Sequence, residues 1–126
     1  SAPIDNWHQG RGGICAAVDA QTSTLGPAWR LGQDDQPVCE SSHYETGQQV
    51  EGVSVPGFGD CLEGVLTAAR HLPFCPCIGW DAVITPTGFS ILEANPLPGM
   101  PVLQVHTPLL KDPRVRKFYR QFGMAS

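Results

Sequence analysis

The sequence predicts an α+β fold, a mostly antiparallel sheet with two helices. Three observations carry that expectation. Turn formers recur roughly every eight to twelve positions up to Gly59, the cadence of short strands joined by tight turns. Beyond Gly59 the apolar period changes to three and four, the spacing of one helix face. A second helical pattern opens at Asp112-Pro113 and closes at Gly123.

Taken in order, Gly12-Gly13 introduces a small apolar strand from Ile14 to Val18, which Asp19 and a polar turn through Ser23 end. Leu25 to Leu31 returns beside it. Residues 32–47 hold Gly32, Asp34, Asp35, Pro37, Ser41, Ser42 and Gly47, all turn formers, and read as a long loop. Val50, Val53 and Val55 suggest another strand, broken by Pro56-Gly57-Phe58-Gly59. Leu62, Val65, Leu66, Ala69 and Leu72 then share a helix face, with Asp60 as cap, Glu63 three positions on, and Pro73 as the stop. Ile78 to Asn95 gives two apolar segments around Thr85-Pro86-Thr87-Gly88-Phe89. A proline-rich stretch follows (Pro96, Pro98, Pro101, Pro108) that cannot stay regular for long. The last helix carries Val115, Phe118, Tyr119 and Phe122 on one side.

The 126 residues suit a single domain, 1–126. Charged residues make up 16 % of the chain, against about 25 % in an average domain. Part of the surface is therefore uncharged and suited to being covered by something else. The net charge is −4 and the only lysines are Lys111 and Lys117, so no basic stripe offsets a phosphate backbone and nucleic acid is not expected as a partner. No apolar run is long enough to span a bilayer, and no basic segment followed by an apolar core marks export; a cytoplasmic protein without a membrane partner is expected. Five cysteines, an odd number at irregular spacing, fit reduced thiols.

The chemistry is expected on the 78–95 hairpin. Pro86 suits the first central position of a type I turn, and Gly88 the left-handed position of a three-residue loop with a bulge. That loop sets Thr85 opposite Phe89, Val83 opposite Ile91 and Asp81 opposite Glu93, with Asn95 further along the same side. A two-residue loop would instead pair Asp81 with Leu92. Directly opposed positions have Cβ atoms about 4.5–5.5 Å apart, where two carboxylates repel unless a cation lies between them. Oxygen-only ligands of this kind suit Mg²⁺ or Mn²⁺, which take their remaining positions from water and nucleotide phosphates. The plainer reading makes Asp81 and Glu93 exposed residues of an edge hairpin.

Gly79-Trp80-Asp81-Ala82-Val83-Ile84-Thr85-Pro86-Thr87-Gly88, then Leu92-Glu93-Ala94-Asn95, Gly99 and Gln104, resembles the end of an ATP-grasp domain, nearest to its sugar-transfer-associated group. The likeness extends upstream through Asp5-Asn6-Trp7, Gly12-Gly13, Val18-Asp19, His43 with Thr46-Gly47, and Val55-Pro56. It implies the C-terminal subdomain of the ATP-grasp fold, with Asp81, Glu93 and Asn95 as its D…ExN magnesium ligands. Asn6 stands where related ligases keep an asparagine before the glycine pair and would face phosphates or substrate. Gly12 and Gly13 either let backbone approach the ligand or simply form a bulge.

The implied activity is transfer of the ATP γ-phosphoryl group to a small carboxylate, followed by attack of an amine or thiol, in a setting linked to polysaccharide biosynthesis. The family's phosphate-binding lysines and glycine-rich flap have no counterpart here, and its usual His-Pro pair reads His43-Tyr44. A partial fold lacking the N-terminal nucleotide-clamping subdomain, inactive alone, is the expectation. The alternative is a stand-alone, non-catalytic module that binds protein or forms homo-oligomers.

Elsewhere, His71, Cys75 and Cys77 with Cys61 are metal-ligand types at an irregular spacing, and small buried thiols are the simpler reading. Trp80 is expected on the face opposite Asp81. Arg114, Arg116, Lys117 and Arg120 read as a solvated helix face or as contacts to phosphates or a further domain.

Overall fold

The structure is a computed structural model that describes residues 13–32, 34–96 and 98–123. Asn6 and Gly12 lie outside the described residues. Strands β1 (Cys15–Val18), β2 (Leu25–Leu31) and β3 (Pro37–Glu40) form one sheet in that order. Helix α1 (Phe58–Arg70) precedes a separate antiparallel ribbon of β4 (Gly79–Thr85) and β5 (Gly88–Asn95). Two short elements, α2 (Pro101–Gln104) and a 3₁₀ turn at Leu109–Lys111, lead into helix α3 (Pro113–Gln121). The expected α+β architecture with antiparallel strands is what the chain adopts, with α2 as a third, single-turn helix in the stretch read as irregular. Pro101 sits at its first position, where no amide donor is needed.

Residues cluster in two compact units. One holds Ala16–Ala28 and Ser41–Gly99; the other holds Trp29–Glu40 and the described residues from Met100 onward.

In the first unit, Asp19 builds the turn after β1. Its carboxylate accepts from the amides of Gln21 (2.8 Å) and Thr22 (2.9 Å), and Ser23 takes a left-handed φ of 56°. Those amide donors, Thr22 first, hold its carboxyl below the usual range. The expected strand at Val50–Val55 is instead extended chain with a single bridge, Thr24 to Ser54. Turns at Gly47 and Gly52 (φ 69° and 81°) keep it too short for a ladder.

Helix α1 begins two residues before the expected cap. Gly57, at φ 77°, is the N-cap, and no side chain caps the helix; Asp60 lies in the first turn, where its charge meets the helix dipole instead. The helix packs on both strands of the ribbon. Cys61 is buried on this side, and Gly64 brings the helix so close to Phe89 that a β-carbon there would overlap the ring. Leu66, read as part of the buried face, is 50 % exposed. Leu62, Val65, Ala69 and Leu72 of the expected face are half-buried, and Gly64 allows the closest approach to Phe89.

In the second unit, the segment read as loop contains β3. Gly32 donates to the Gln36 carbonyl (2.9 Å), reversing the chain, and Arg30 then reaches Glu40 at 2.8 Å across neighbouring strands. Helix α3 starts as its residues dictate. Asp112 accepts from the Arg114 amide at 2.8 Å and pairs with its guanidinium at 2.7 Å, and Pro113 follows. These contacts, the Arg114 side chain foremost, hold the Asp112 carboxyl down to about 2. A carboxyl depressed below its unfolded value of about 3.9 stabilises the helix fully above that pH and ceases to as pH falls through about 2. Acid titration followed by amide NMR is therefore expected to show the Arg114 N–H losing its protected position between about pH 4 and 2. Arg114→Ala should move that midpoint upward.

Candidate metal centre

The ribbon's register decides which side chains meet. Its loop has two residues, Pro86 and Thr87, with Thr85 opposite Gly88, Ile84 opposite Phe89, Val83 opposite Ser90 and Ala82 opposite Ile91. This corrects the expected three-residue loop, in which Thr85 met Phe89 and Val83 met Ile91. Proline holds φ near −65°, which excludes the primed turns that usually join two strands this tightly. Gly88, at φ 149°, takes up the mismatch in a conformation that L-residues rarely adopt, and the Thr85 hydroxyl donates to its carbonyl at 3.1 Å.

A regular ladder from that loop would set Asp81 against Leu92. The structure has a β-bulge there: between Ala82↔Ile91 and Asp81↔Glu93 the second strand carries one extra residue, Leu92. The bulge offsets the shorter loop, and Asp81 and Glu93 are directly opposed. Asn95 lies opposite Gly79, on the same side as Glu93 two residues before it. Trp80, Ile84 and Phe89 take the other side, the one that approaches α1. Ile91, expected beside the acids, belongs to that other side through its pairing with Ala82; Val83 stays with the acids and is 43 % exposed.

Asp81, Glu93 and Asn95 are all exposed. Two opposed carboxylates with an amide oxygen source beside them can give a hard divalent ion three protein ligands, leaving its other positions to water and phosphate oxygens. The donor set fits magnesium or manganese. Among the described residues no group of three or more His, Cys, Asp or Glu converges, so His71, Cys61, Cys75 and Cys77 form no such site. All five cysteines are free. Burial pushes the Cys15 thiol up to about 11, so it is neither a ready ligand nor a nucleophile near neutral pH.

Gly13 is a half-buried coil residue two positions before β1, and the ribbon is not what it opens into. One contact beside the acids was not read from the sequence. A β-carbon on Gly79 would lie 2.6 Å from Cβ of Pro98, so only glycine lets the chain after Asn95 fold back against the strand that Asn95 faces. A glycine opening a strand is the available signal for such an approach.

The family described as sugar-transfer associated ATP-grasp matches the chain over residues 1–117. No curated protein and no solved structure matches the chain.

Proposed function

The chain belongs to the sugar-transfer-associated ATP-grasp family, and from that premise we propose that it is the C-terminal, metal-holding part of an ATP-dependent carboxylate–amine or carboxylate–thiol ligase. The observation that carries the reading is the bulge-corrected pairing of Asp81 with Glu93, with Asn95 alongside. These three would hold Mg²⁺ or Mn²⁺, which when bound would offset charge on the phosphates of ATP.

In such a reaction a carboxylate oxygen of the substrate attacks the γ-phosphorus, the bond to the β–γ bridging oxygen breaks, and ADP leaves. The amine or thiol then attacks the acyl carbon, and phosphate departs with the electron pair of the cleaved C–O bond. Asp81 and Glu93 would hold the ion that screens the phosphate charge, and their ribbon is braced by α1 through Phe89 and Gly64. Lys111 and Lys117 are the only lysines, both in the other compact unit. On this reading a further subdomain would supply the family's phosphate-clamping lysines, and the chain alone is expected to be inactive. Asn6, with Gly12 and Gly13, is assigned to the phosphate or substrate side by family position alone. The five unpaired thiols suit a reducing compartment, the cytoplasm, and among the described residues no helix is long and apolar enough to cross a membrane. The acceptor carboxylate is read as one linked to polysaccharide biosynthesis, in keeping with the family's description as sugar-transfer associated.

The second reading, a non-catalytic assembly module, is favoured by large exposed apolar side chains, Phe74 at 81 % and Leu92 at 70 %. Mn²⁺ titration followed by electron paramagnetic resonance, with and without ATP, separates the two. The ligase reading expects saturable Mn²⁺ binding that ATP strengthens. Absence of saturable binding in both conditions overturns it.

A further inference from the structure

Positive charge in this chain is not spread evenly. Five of its eight cationic side chains, Lys111, Arg114, Arg116, Lys117 and Arg120, fall within one short stretch that contains a single carboxylate, Asp112. The other compact unit, Ala16–Ala28 with Ser41–Gly99, has the opposite composition: Asp19, Glu45, Glu51, Asp60, Glu63, Asp81 and Glu93 against Arg70 alone. Its net charge is −6.

On α3 the two kinds of side chain are segregated. Val115, Phe118 and Tyr119 are half-buried, Tyr119 reaching the Met100 sulfur at 3.8 Å, so the apolar side is turned to its own unit. Arg114, Arg116, Lys117 and Arg120 occupy the other side and are exposed. Arg114 is committed to Asp112, and Arg116 donates through Nε to the Leu110 carbonyl at 3.0 Å. Lys111, Lys117 and Arg120 have no ion-pair partner among the described residues.

We propose that the cationic face of α3 docks onto the acidic unit of a second copy of this chain, in a head-to-tail association held by charge complementarity. One sequence supplies both halves of the contact, a face with three cations unpaired among the described residues and a unit of net −6. Complementary patches of this kind steer association and fix its orientation, and they weaken as salt screens them. Because the two surfaces differ, the contact is heterologous; it leaves a free surface of each kind at the ends unless a ring closes. The inference does not rest on the ligase reading: with Asp81 and Glu93 set aside, Asp19, Glu45, Glu51, Asp60 and Glu63 still leave the unit at net −4 against Arg70.

Sedimentation velocity of the 126-residue chain tests it, from low salt up to about 1 M, where the screening length shrinks to about 3 Å. The expected weight-average mass at low salt is at least twice the 13.5 kDa monomer, falling to the monomer at high salt. Lys117→Glu with Arg120→Glu should be monomeric throughout, while Lys117→Arg with Arg120→Lys should associate as the parent does; circular dichroism checks that α3 survives in both. A parent monomeric at every salt concentration overturns the proposal. So does association that strengthens with salt, or that persists in the charge-reversed variant. Binding of the parent to phosphatidylserine vesicles without self-association also overturns it and assigns the face to an anionic membrane.

Discussion

Asp81→Ala or Glu93→Ala is expected to lower Mn²⁺ affinity by at least about tenfold, the lower end of what even supporting residues around a metal cost. The two positions are directly opposed, so each substitution leaves a single carboxylate where the pair stood. Asn95→Ala should cost less, because a neutral oxygen contributes no charge to holding the ion. Asp60→Ala, on α1, should leave binding unchanged and so serves as the control for loss of general negative charge. Asp81→Asn separates the effects further: it keeps the size and an oxygen while removing the charge, and is expected to resemble Asp81→Ala. Calorimetric titration reads all five. Equal affinity in the parent and both alanine variants would remove the ribbon from the ligase reading.

Gly64→Leu is expected to have the largest effect on stability. A helical glycine ordinarily gains about 0.5–1 kcal/mol when replaced by alanine, because backbone freedom is lost on folding. Here the first added carbon already overlaps the Phe89 ring. Overpacking of that sort costs about 1–3 kcal/mol, which exceeds the propensity gain, and three further carbons leave the helix no seat on the ribbon. Urea denaturation followed by tryptophan fluorescence should show a lower midpoint for Gly64→Ala and a still lower one for Gly64→Leu. Gly59→Ala, on the same helix with open space around its β-carbon, should be neutral or stabilising. If Gly64→Leu melts with the parent, the helix does not rest on Phe89.

How legible these features were depends on how local their causes are. Asp112 and Pro113 mark the start of α3 within two adjacent residues, and the helix begins there. Leu25–Leu31 reads as a strand because its ends are marked by turns. β3 was hidden, since a four-residue strand between Asp34-Asp35 and Ser41-Ser42 has too few apolar residues to outweigh its neighbours; its pairing with β2 decides it. The start of α1 was misjudged because Asp60 offers a recognisable cap, whereas the structure uses the left-handed backbone of Gly57.

The acid pair is the instructive case. Its opposition was expected from a three-residue loop, but it arises from a two-residue loop together with an extra residue in β5. Ile91-Leu92 is an ordinary apolar pair, with nothing in it to announce a bulge. Likewise, Gly64 carries no apolar signal, although it sets how near the helix comes.

That extra residue has a practical result. Leu92, 70 % open to solvent, lies between the tip of the hairpin and the carboxylates, and the acids stay opposed only while the loop keeps its two residues. A label on the exposed Thr87 side chain leaves that loop length as it is. The tip is thus a convenient place to attach a fluorophore or spin label for watching the acid pair without rearranging it.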